Sequence, residues 1–354
     1  MDRRRLKRIF DKIGNDNIFT IEAYICESEF HRQNINPYFL YFTKLPIDKI
    51  ILDSILEINK LELVLYADPD PKLGMEYGDI GIKVKPLKML KKKVEMGEEV
   101  KKKIDELRVI KEKWEIKQIK KAVEITLNGF KKMKNFIKNN KKINESNLEG
   151  IFYQELINNN CVYAYPPIIG SGKNAAYIHY NLNNKNILTK DLILMDCGAK
   201  NQFGYCADIT ETVLPKNSTK YQRIVYRIVE KAFENCYNSL RTRNVSMKDL
   251  DNICKKTFME MFGELKLKNN KKWNDFLDSE ESLKILYPHF IGHQVGLDVH
   301  DPSSIKLGRN MVFTIEPGLY FPENYKIIPK EYKKVGGVRI ERMILMGTKP
   351  EIMC

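Results

Sequence analysis

Apolar residues recur every three or four positions across 113–142, at Ile116, Ile119, Val123, Leu127, Phe130, Met133 and Ile137, and this spacing predicts a long amphipathic helix. Upstream, short apolar runs at 19–25, 38–43 and 61–67 predict strands of a small α/β domain, with Asp68-Pro69-Asp70-Pro71 as a turn between elements. Residues 88–113 form a lysine-rich helical stretch interrupted by glycine, and the expected domain junction near 108 divides 1–107 from 108–354. Beyond the polar tract 139–144, a helical run at 148–157 gives way to short strands separated by glycines. Two helical segments are expected within 221–265, and 269–286 reads as a polar loop ending in a helical turn. Without regular βαβ alternation the second domain is mixed, and the fold class is α+β. No repeat of solenoid period is visible.

Composition sharpens this picture in three respects. A hydrophobic fraction of 43% is ample for packed cores, which excludes global disorder. The net charge of +14 raises the question of nucleic acid, yet the excess is local. Residues 113–142 carry ten lysines against two glutamates, on the face of the predicted helix opposite its apolar stripe, so a solvated face accounts for them and no nucleic-acid partner is expected. Seven scattered cysteines with no C-x-x-C pair argue against a disulfide framework. With no apolar stretch long enough for a membrane span, the expected location is the cytoplasm, where the sequons at Asn144, Asn217 and Asn244 carry no meaning.

The chemistry concentrates where histidine does. Of five histidines, His179, His289, His293 and His300 lie in two short glycine-rich segments, while His31 stands alone and reads as structural. Four carboxylates sit at strand ends or on strand faces. Asp196 closes the apolar run Leu192-Ile193-Leu194-Met195 before Cys197-Gly198, and a hairpin through Gly204 returns to Asp208, so the two aspartates can face each other across antiparallel strands. Glu316 follows Met311-Val312-Phe313-Thr314-Ile315 and precedes Pro317-Gly318. Glu341 shares a strand face with Arg339, for which an in-strand ion pair is the plainer explanation. Oxygen-rich donors with one imidazole suit Mn²⁺, Co²⁺ or Zn²⁺, and bridging carboxylates suit two ions, which supply hydroxide near neutral pH and polarise a carbonyl. Amide hydrolysis is the reaction such a set serves best. Alternation turns Cys197 and Cys206 away from the ions, into the core. Gly170-Ser171-Gly172-Lys173 lacks the glycine and the hydroxyl residue of a phosphate loop and reads as a tight turn opening a strand that carries His179.

In this order, the segments LMDCG, GYCADIT, HFIGHQVGLDVHD, FTIEPGLY and GGVRIE resemble those of the "pita-bread" metallopeptidases, family M24, which includes methionine aminopeptidase, prolidase and aminopeptidase P. The resemblance runs from about residue 108 to the C-terminus and implies a creatinase/aminopeptidase fold. It implies that Asp196 chelates one metal, that Asp208 and Glu341 bridge both, and that His293 and Glu316 complete the other, Glu316 also taking the proton of the bridging water. It further implies that His289 and His300 position substrate and steady the tetrahedral intermediate, with His179 at the mouth of the site. Arg339 resembles an arginine that braces the site or reaches substrate, and Tyr320 enters the pocket after the Glu-Pro-Gly turn.

SGKNAAYIHY matches the proline-specific branches, and the stretch 28–34 followed by Pro37-Tyr38-Phe39 is similar to a segment of aminopeptidase P, although Lys44 stands where the family has glycine. The implied activity is removal of the N-terminal residue from peptides with proline in second position, by attack of a hydroxide bridging two divalent ions, manganese first, cobalt or zinc next. His300 and Tyr320 are the expected shapers of the proline pocket, and the resemblance implies a homo-oligomer, a dimer. Xaa-Pro dipeptidase is the near alternative and a non-catalytic binding module the remote one. Three departures bear on this: Asp196 and Asp208 are twelve apart where eleven is common, Glu211 replaces a frequent arginine, and Arg342 replaces a frequent acid. An added residue in the turn leaves strand register intact, whereas one inside a strand would turn Asp208 away.

Overall fold

The computed structural model describes residues 3–14, 17–23, 35–51, 54–59, 62–68, 82–242 and 245–354. His31, the stretch 28–34, Cys26, Asn244 and most of the Asp68-Pro69-Asp70-Pro71 turn lie outside the described residues.

The first hundred residues hold α1 (Arg3–Ile13), β1 (Ile18–Glu22), α2 (Pro37–Thr43), β2 (Ile55–Asn59), β3 (Glu62–Tyr66) and β4 (Lys83–Lys85). The four strands form one sheet in sequence order, antiparallel except where β4 runs parallel to β3. The run at 38–43 is helical, not the strand its apolarity predicts. Asn36 accepts from the Tyr38 amide at 3.0 Å and Pro37 takes the first helical turn, while Lys44 ends the helix at φ +52°. Period alone does not separate a short, wholly buried helix from a strand, and α2 buries Phe39, Leu40, Tyr41 and Phe42 together. Within 88–113 the helix is α3 (Glu98–Val109), after a 3-10 turn at Leu87–Met89 and before the next helix begins at Lys113.

The amphipathic pattern becomes α4 (Lys113–Asn139), opened by a capping box of Glu112 and Glu115 and burying Ile119, Val123, Phe130 and Met133. It packs on α5 (Glu145–Asn158) at Gly129, where a Cβ would meet the Phe152 ring at 2.5 Å. There follow β5 (Val162–Tyr163), β6 (Ile168–Ser171), β7 (Ile193–Cys197), β8 (Ala199–Lys200) and β9 (Ile209–Val213), then α6 (Lys220–Thr242), α7 (Met247–Met261), α8 (Lys271–Leu277) and α9 (Glu280–Leu286). The expected polar loop at 269–286 is therefore mostly two short helices. Asn270 caps the first, and Trp273, Phe276 and Leu277 bury its inner face.

The chain closes with β10 (Val312–Ile315), β11 (Gly318–Tyr320), α10 (Lys330–Lys333), β12 (Gly337–Arg339), β13 (Arg342–Met346) and β14 (Pro350–Ile352). β6-β7-β9 form one antiparallel sheet and β10-β13-β14 another, with β5-β8 and β11-β12 as ribbons. The two halves are joined through β9: the Glu341 amide donates to Thr210 O at 3.0 Å, and the Thr212 hydroxyl donates to Arg339 O at 2.8 Å. One core fills between the N-terminal sheet, α4, α5 and β7, and a second between α6, α7 and the later strands. The molecule is α+β, as the sequence predicts, and none of its described helices is long and apolar enough to cross a membrane. Cys197 and Cys206 lie in the first core, and the six described cysteines are unpaired as disulfides.

Candidate metal centre and catalytic pocket

The seam between the two halves opens into a cavity of about 800 Å³ that collects nearly every sequence-predicted residue. Asp196, Asp208, His293, Glu316, Glu341, His179, His289, His300 and Arg339 all line it. Asp196 lies on β7 opposite Thr210, and Asp208 immediately precedes β9. The longer hairpin turns over Asn201–Gly204, with Gly204 at φ +83°, so the added residue leaves Asp208 in the site. Its Oδ2 is 3.2 Å from His293 Nε2. Ligand atoms of Asp208, His293 and Glu341 all lie within 4.8 Å of one another, the spacing of donors around a single ion. Glu316 Oε1 stands 3.5 Å from the same imidazole nitrogen.

Each donor is set by backbone and neighbour. The His293 amide donates to Thr314 Oγ1 at 3.1 Å and its carbonyl accepts from the Thr314 amide at 2.8 Å, locking the histidine segment beside β10. Gly292 makes this approach possible, since a Cβ there would lie 2.8 Å from Thr314 Oγ1 and the residue has φ +155°. His293 Nδ1 faces Gln294 O at 3.3 Å, which leaves Nε2 for ligation. Thr210, unassigned from sequence, donates to Glu341 Oε2 at 2.9 Å and accepts from Arg339 Nε at 3.0 Å. Arg339 and Glu341 therefore do not pair with each other. The guanidinium meets Asp196 through Nη2 and Tyr320 through Nη1, the latter at 2.8 Å.

A relay of hydrogen bonds links Arg339 to His289. With Nδ1–H donating to Phe290 O at 2.8 Å, Nε2 of His289 accepts from the Tyr320 hydroxyl at 2.9 Å, and the Tyr320 oxygen accepts from Arg339. Burial and the Arg339 charge push His289 down to about 4, so it is neutral across the physiological range. His293 takes the opposite course: burial alone would lower its pKa, but the Asp208 and Glu316 carboxylates carry it up to about 9. His300 stacks edge-on to His293 with ring centres 4.1 Å apart, and burial and the neighbouring imidazole lower its pKa. His179 and His300 are exposed at the mouth. His179 rides a turn after the 3-10 segment Gly172–Ala176 rather than the expected strand, and buried Glu145 anchors that segment by accepting from the Ser171 amide at 2.7 Å and the Tyr180 hydroxyl at 2.7 Å.

Sequence reasoning missed Tyr165, whose hydroxyl lies 2.6 Å from Asp196 Oδ1 and 2.5 Å from Asp208 Oδ1. Partners 31 and 43 residues away leave no local trace. It also missed Arg108 and Lys111, which meet Asp301 at 2.7 and 2.8 Å and so anchor the loop carrying His300.

The donor set fits divalent cations. Four carboxylates converge against one guanidinium and one imidazole, and burial pushes Glu316 up to about 7, with Asp196 and Glu341 also above their usual range. Such crowding calls for added positive charge, and oxygen donors with a single nitrogen supply a site for it.

Fold and site together define a protein of the pita-bread class with a cluster of candidate metal ligands. The chain belongs to metallopeptidase family M24, whose profile matches residues 117–348. It is 31% identical over 293 residues to a probable Xaa-Pro aminopeptidase of Aspergillus terreus, covering 71% of this chain and 59% of that protein. It is 34% identical over 260 residues to intermediate cleaving peptidase 55 of Saccharomyces cerevisiae, covering 70% of this chain and 47% of that protein. The chain thus spans about half to three-fifths of the length of these curated relatives. Among solved structures, Escherichia coli aminopeptidase P with the inhibitor Pro-Leu superposes with a TM-score of 0.79 at 22% identity, covering 100% of this chain and 95% of that one. The zinc-substituted E. coli enzyme in complex with product gives 0.80 at the same identity and coverage. These likenesses establish the fold.

Proposed function

We propose that the protein is a dinuclear-metal aminopeptidase that removes the N-terminal residue from peptides with proline in second position. The observation that carries this reading is the convergence of Asp196, Asp208, His293, Glu316 and Glu341 on one cavity, beside a neutral histidine and a buried arginine. Its relatives' names point the same way.

Asp208, His293 and Glu341 would hold one ion among them, with Glu316 beside it, and Asp196 with the bridging Asp208 and Glu341 would hold the second. Manganese suits the oxygen-rich set, and cobalt or zinc would serve. Two ions there would lower the pKa of a water held between them and polarise the scissile carbonyl. Glu316, which burial pushes up to about 7 in the metal-free site, would take the proton of the attacking water and return it to the leaving nitrogen. Neutral His289 has both ring nitrogens engaged, at Phe290 O and the Tyr320 hydroxyl, and would wall the cavity, while His300 would face the substrate backbone and His179 would bound the entrance. Arg339 holds Tyr320 in place and balances the carboxylates. An Xaa-Pro bond is a tertiary amide without an N–H, so its pocket needs no acceptor for that nitrogen, and Ile178, Phe290 and Val299 supply apolar wall.

The 1–107 and 108–354 division, a homodimer and a cytoplasmic location complete the proposal. The deciding experiment compares hydrolysis of a matched Xaa-Pro tripeptide and dipeptide by chelator-stripped protein before and after Mn²⁺ is restored. Mn²⁺-dependent cleavage of the tripeptide is expected. Cleavage of the dipeptide alone would make the protein a prolidase, and cleavage of neither with Mn²⁺, Co²⁺ or Zn²⁺ would overturn the catalytic reading.

A further inference from the structure

Tyr165 occupies the short connection between β5 and β6, and that connection is gripped on both sides. The Ala164 amide donates to Gly198 O at 2.9 Å, just past Asp196 on the chain. Gly198 has no side chain to obstruct the phenol: a Cβ there would lie 2.8 Å from Tyr165 Cε1. Pro166 and Pro167 restrict the backbone after it, and Pro167 O accepts from Asn183 Nδ2 at 2.9 Å, while Asn183 Oδ1 accepts from the Ile169 amide at 2.9 Å. The ring is therefore placed by its own segment before any contact with the carboxylates.

Those contacts divide the carboxylate oxygens between two tasks. Oδ1 of Asp196 and Oδ1 of Asp208 both turn to the Tyr165 oxygen. Oδ2 of Asp196 turns to Arg339, and Oδ2 of Asp208 turns to His293 Nε2 at 3.2 Å. The phenol has one proton, which it donates to one aspartate while its oxygen accepts from the other in protonated form, so in the metal-free site it orients both side chains and spans the gap between them. The two aspartates do not depend on it equally. Asp208 is also held against His293, whose own ring and backbone are anchored at Gln294 and Thr314. Asp196 has only Arg339 besides, and a carboxylate released from Tyr165 is free to pair with both arms of that guanidinium, the geometry arginine prefers.

We infer that Tyr165 is a positioning residue of the metal centre, and that its hydroxyl governs retention of the second ion, the one that relies on Asp196, more than the ion shared by Asp208, His293 and Glu341. The inference rests on the metallopeptidase reading above. Partners that orient metal ligands typically alter affinity by about 10–100-fold when removed, and that range is expected here for one ion only.

The test is a titration of chelator-stripped protein with Mn²⁺ alone, followed by calorimetry and by electron paramagnetic resonance, for wild type, Tyr165→Phe and Tyr163→Phe. Tyr163 stacks on Phe152 and serves as a control for packing of the segment. Wild type and Tyr163→Phe are expected to bind two ions and give the spectrum of a spin-coupled pair. Tyr165→Phe is expected to bind the first ion within about threefold of wild type and the second about 10–100-fold more weakly, giving the six-line signal of isolated Mn²⁺ at equal loading. Near-UV circular dichroism of the stripped variants reports whether they are folded. Should Tyr165→Phe not fold, Asn183→Ala is the second variant, since it releases the segment that places the ring, and must show the same selective loss. Unchanged binding of both ions in folded Tyr165→Phe or Asn183→Ala, or equal weakening of both, would overturn the inference. If wild type binds no Mn²⁺, the metallopeptidase reading falls and this inference falls with it.

Discussion

His289 and His293 are four residues apart and are driven in opposite directions by what each faces. Burial and Arg339 hold His289 near 4, whereas Asp208 and Glu316 lift His293 from its ordinary 6.5 to about 9. If His293 is a ligand as proposed, it must bind in its neutral form, so metal uptake would release its proton. Mn²⁺ affinity is therefore expected to rise steadily from pH 6.5 to 9, with proton release measurable by calorimetry in buffers of different ionisation enthalpy; a pH-independent affinity would contradict this. The same shift has a sign for stability. A histidine raised in the folded state adds stability that is complete below about 6.5 and is lost as pH rises through about 9. Glu316, raised from 4.5 to about 7, loses its contribution across that lower window, where His289, depressed, gains. The thermal midpoint of stripped protein should thus fall between pH 6.5 and 9, and Mn²⁺ should abolish the fall. Arg339 is the buried counter-charge to the carboxylates, and Arg339→Met is expected to cost the stripped protein about 3–5 kcal/mol, read from urea unfolding.

Among the elements, Gly292 is the position where a methyl group should do most harm. Its φ of +155° and its closeness to Thr314 let the His293 segment bridge to β10, and Gly292→Ala is expected to lower Mn²⁺ affinity at least tenfold while far-UV circular dichroism stays native. Such glycines also explain how much of the site was legible. Acid-glycine and acid-proline-glycine strand ends, with histidines crowded into glycine-rich segments, are local signals, and the cavity gathers those residues together. The long helix α4 was equally plain, because seven apolar positions over many turns have one period. What escaped was either too short or too distant. Helices α2, α8 and α9 each span seven residues, about two turns, where caps such as Asn36 and Asn270 inform more than periodicity. Tyr165, Thr210 and the Arg108–Lys111 anchor act through partners far along the chain, and a residue whose role depends on tertiary contact has no pattern to betray it.

Across the whole molecule, buried charge ties the end of α3 to the loop that carries His300. Arg108 on α3 bonds Asp298 and Asp301 while its guanidinium covers the Tyr38 ring of α2, and Lys111 takes the other oxygen of Asp301. Asp301→Asn is expected to lower kcat/KM about tenfold or more through the adjacent His300 while leaving Mn²⁺ stoichiometry at two; loss of metal instead would show that this anchor acts on the centre itself. The lysine face of α4 is partly answered within the chain, since Lys120, Lys132 and Lys134 pair with Glu351, Glu155 and Glu211. The seam through β9 has one further meaning. Thr210 and Glu341 meet across 131 residues of chain, and the aspartates come from one sheet while the imidazole and glutamates come from the other side of that seam. During synthesis on the ribosome, a nascent chain that has delivered both aspartates still lacks His293, Glu316 and Glu341, so it has no centre to load. On the reading proposed above, activity would therefore arise only once the final strands have closed the seam.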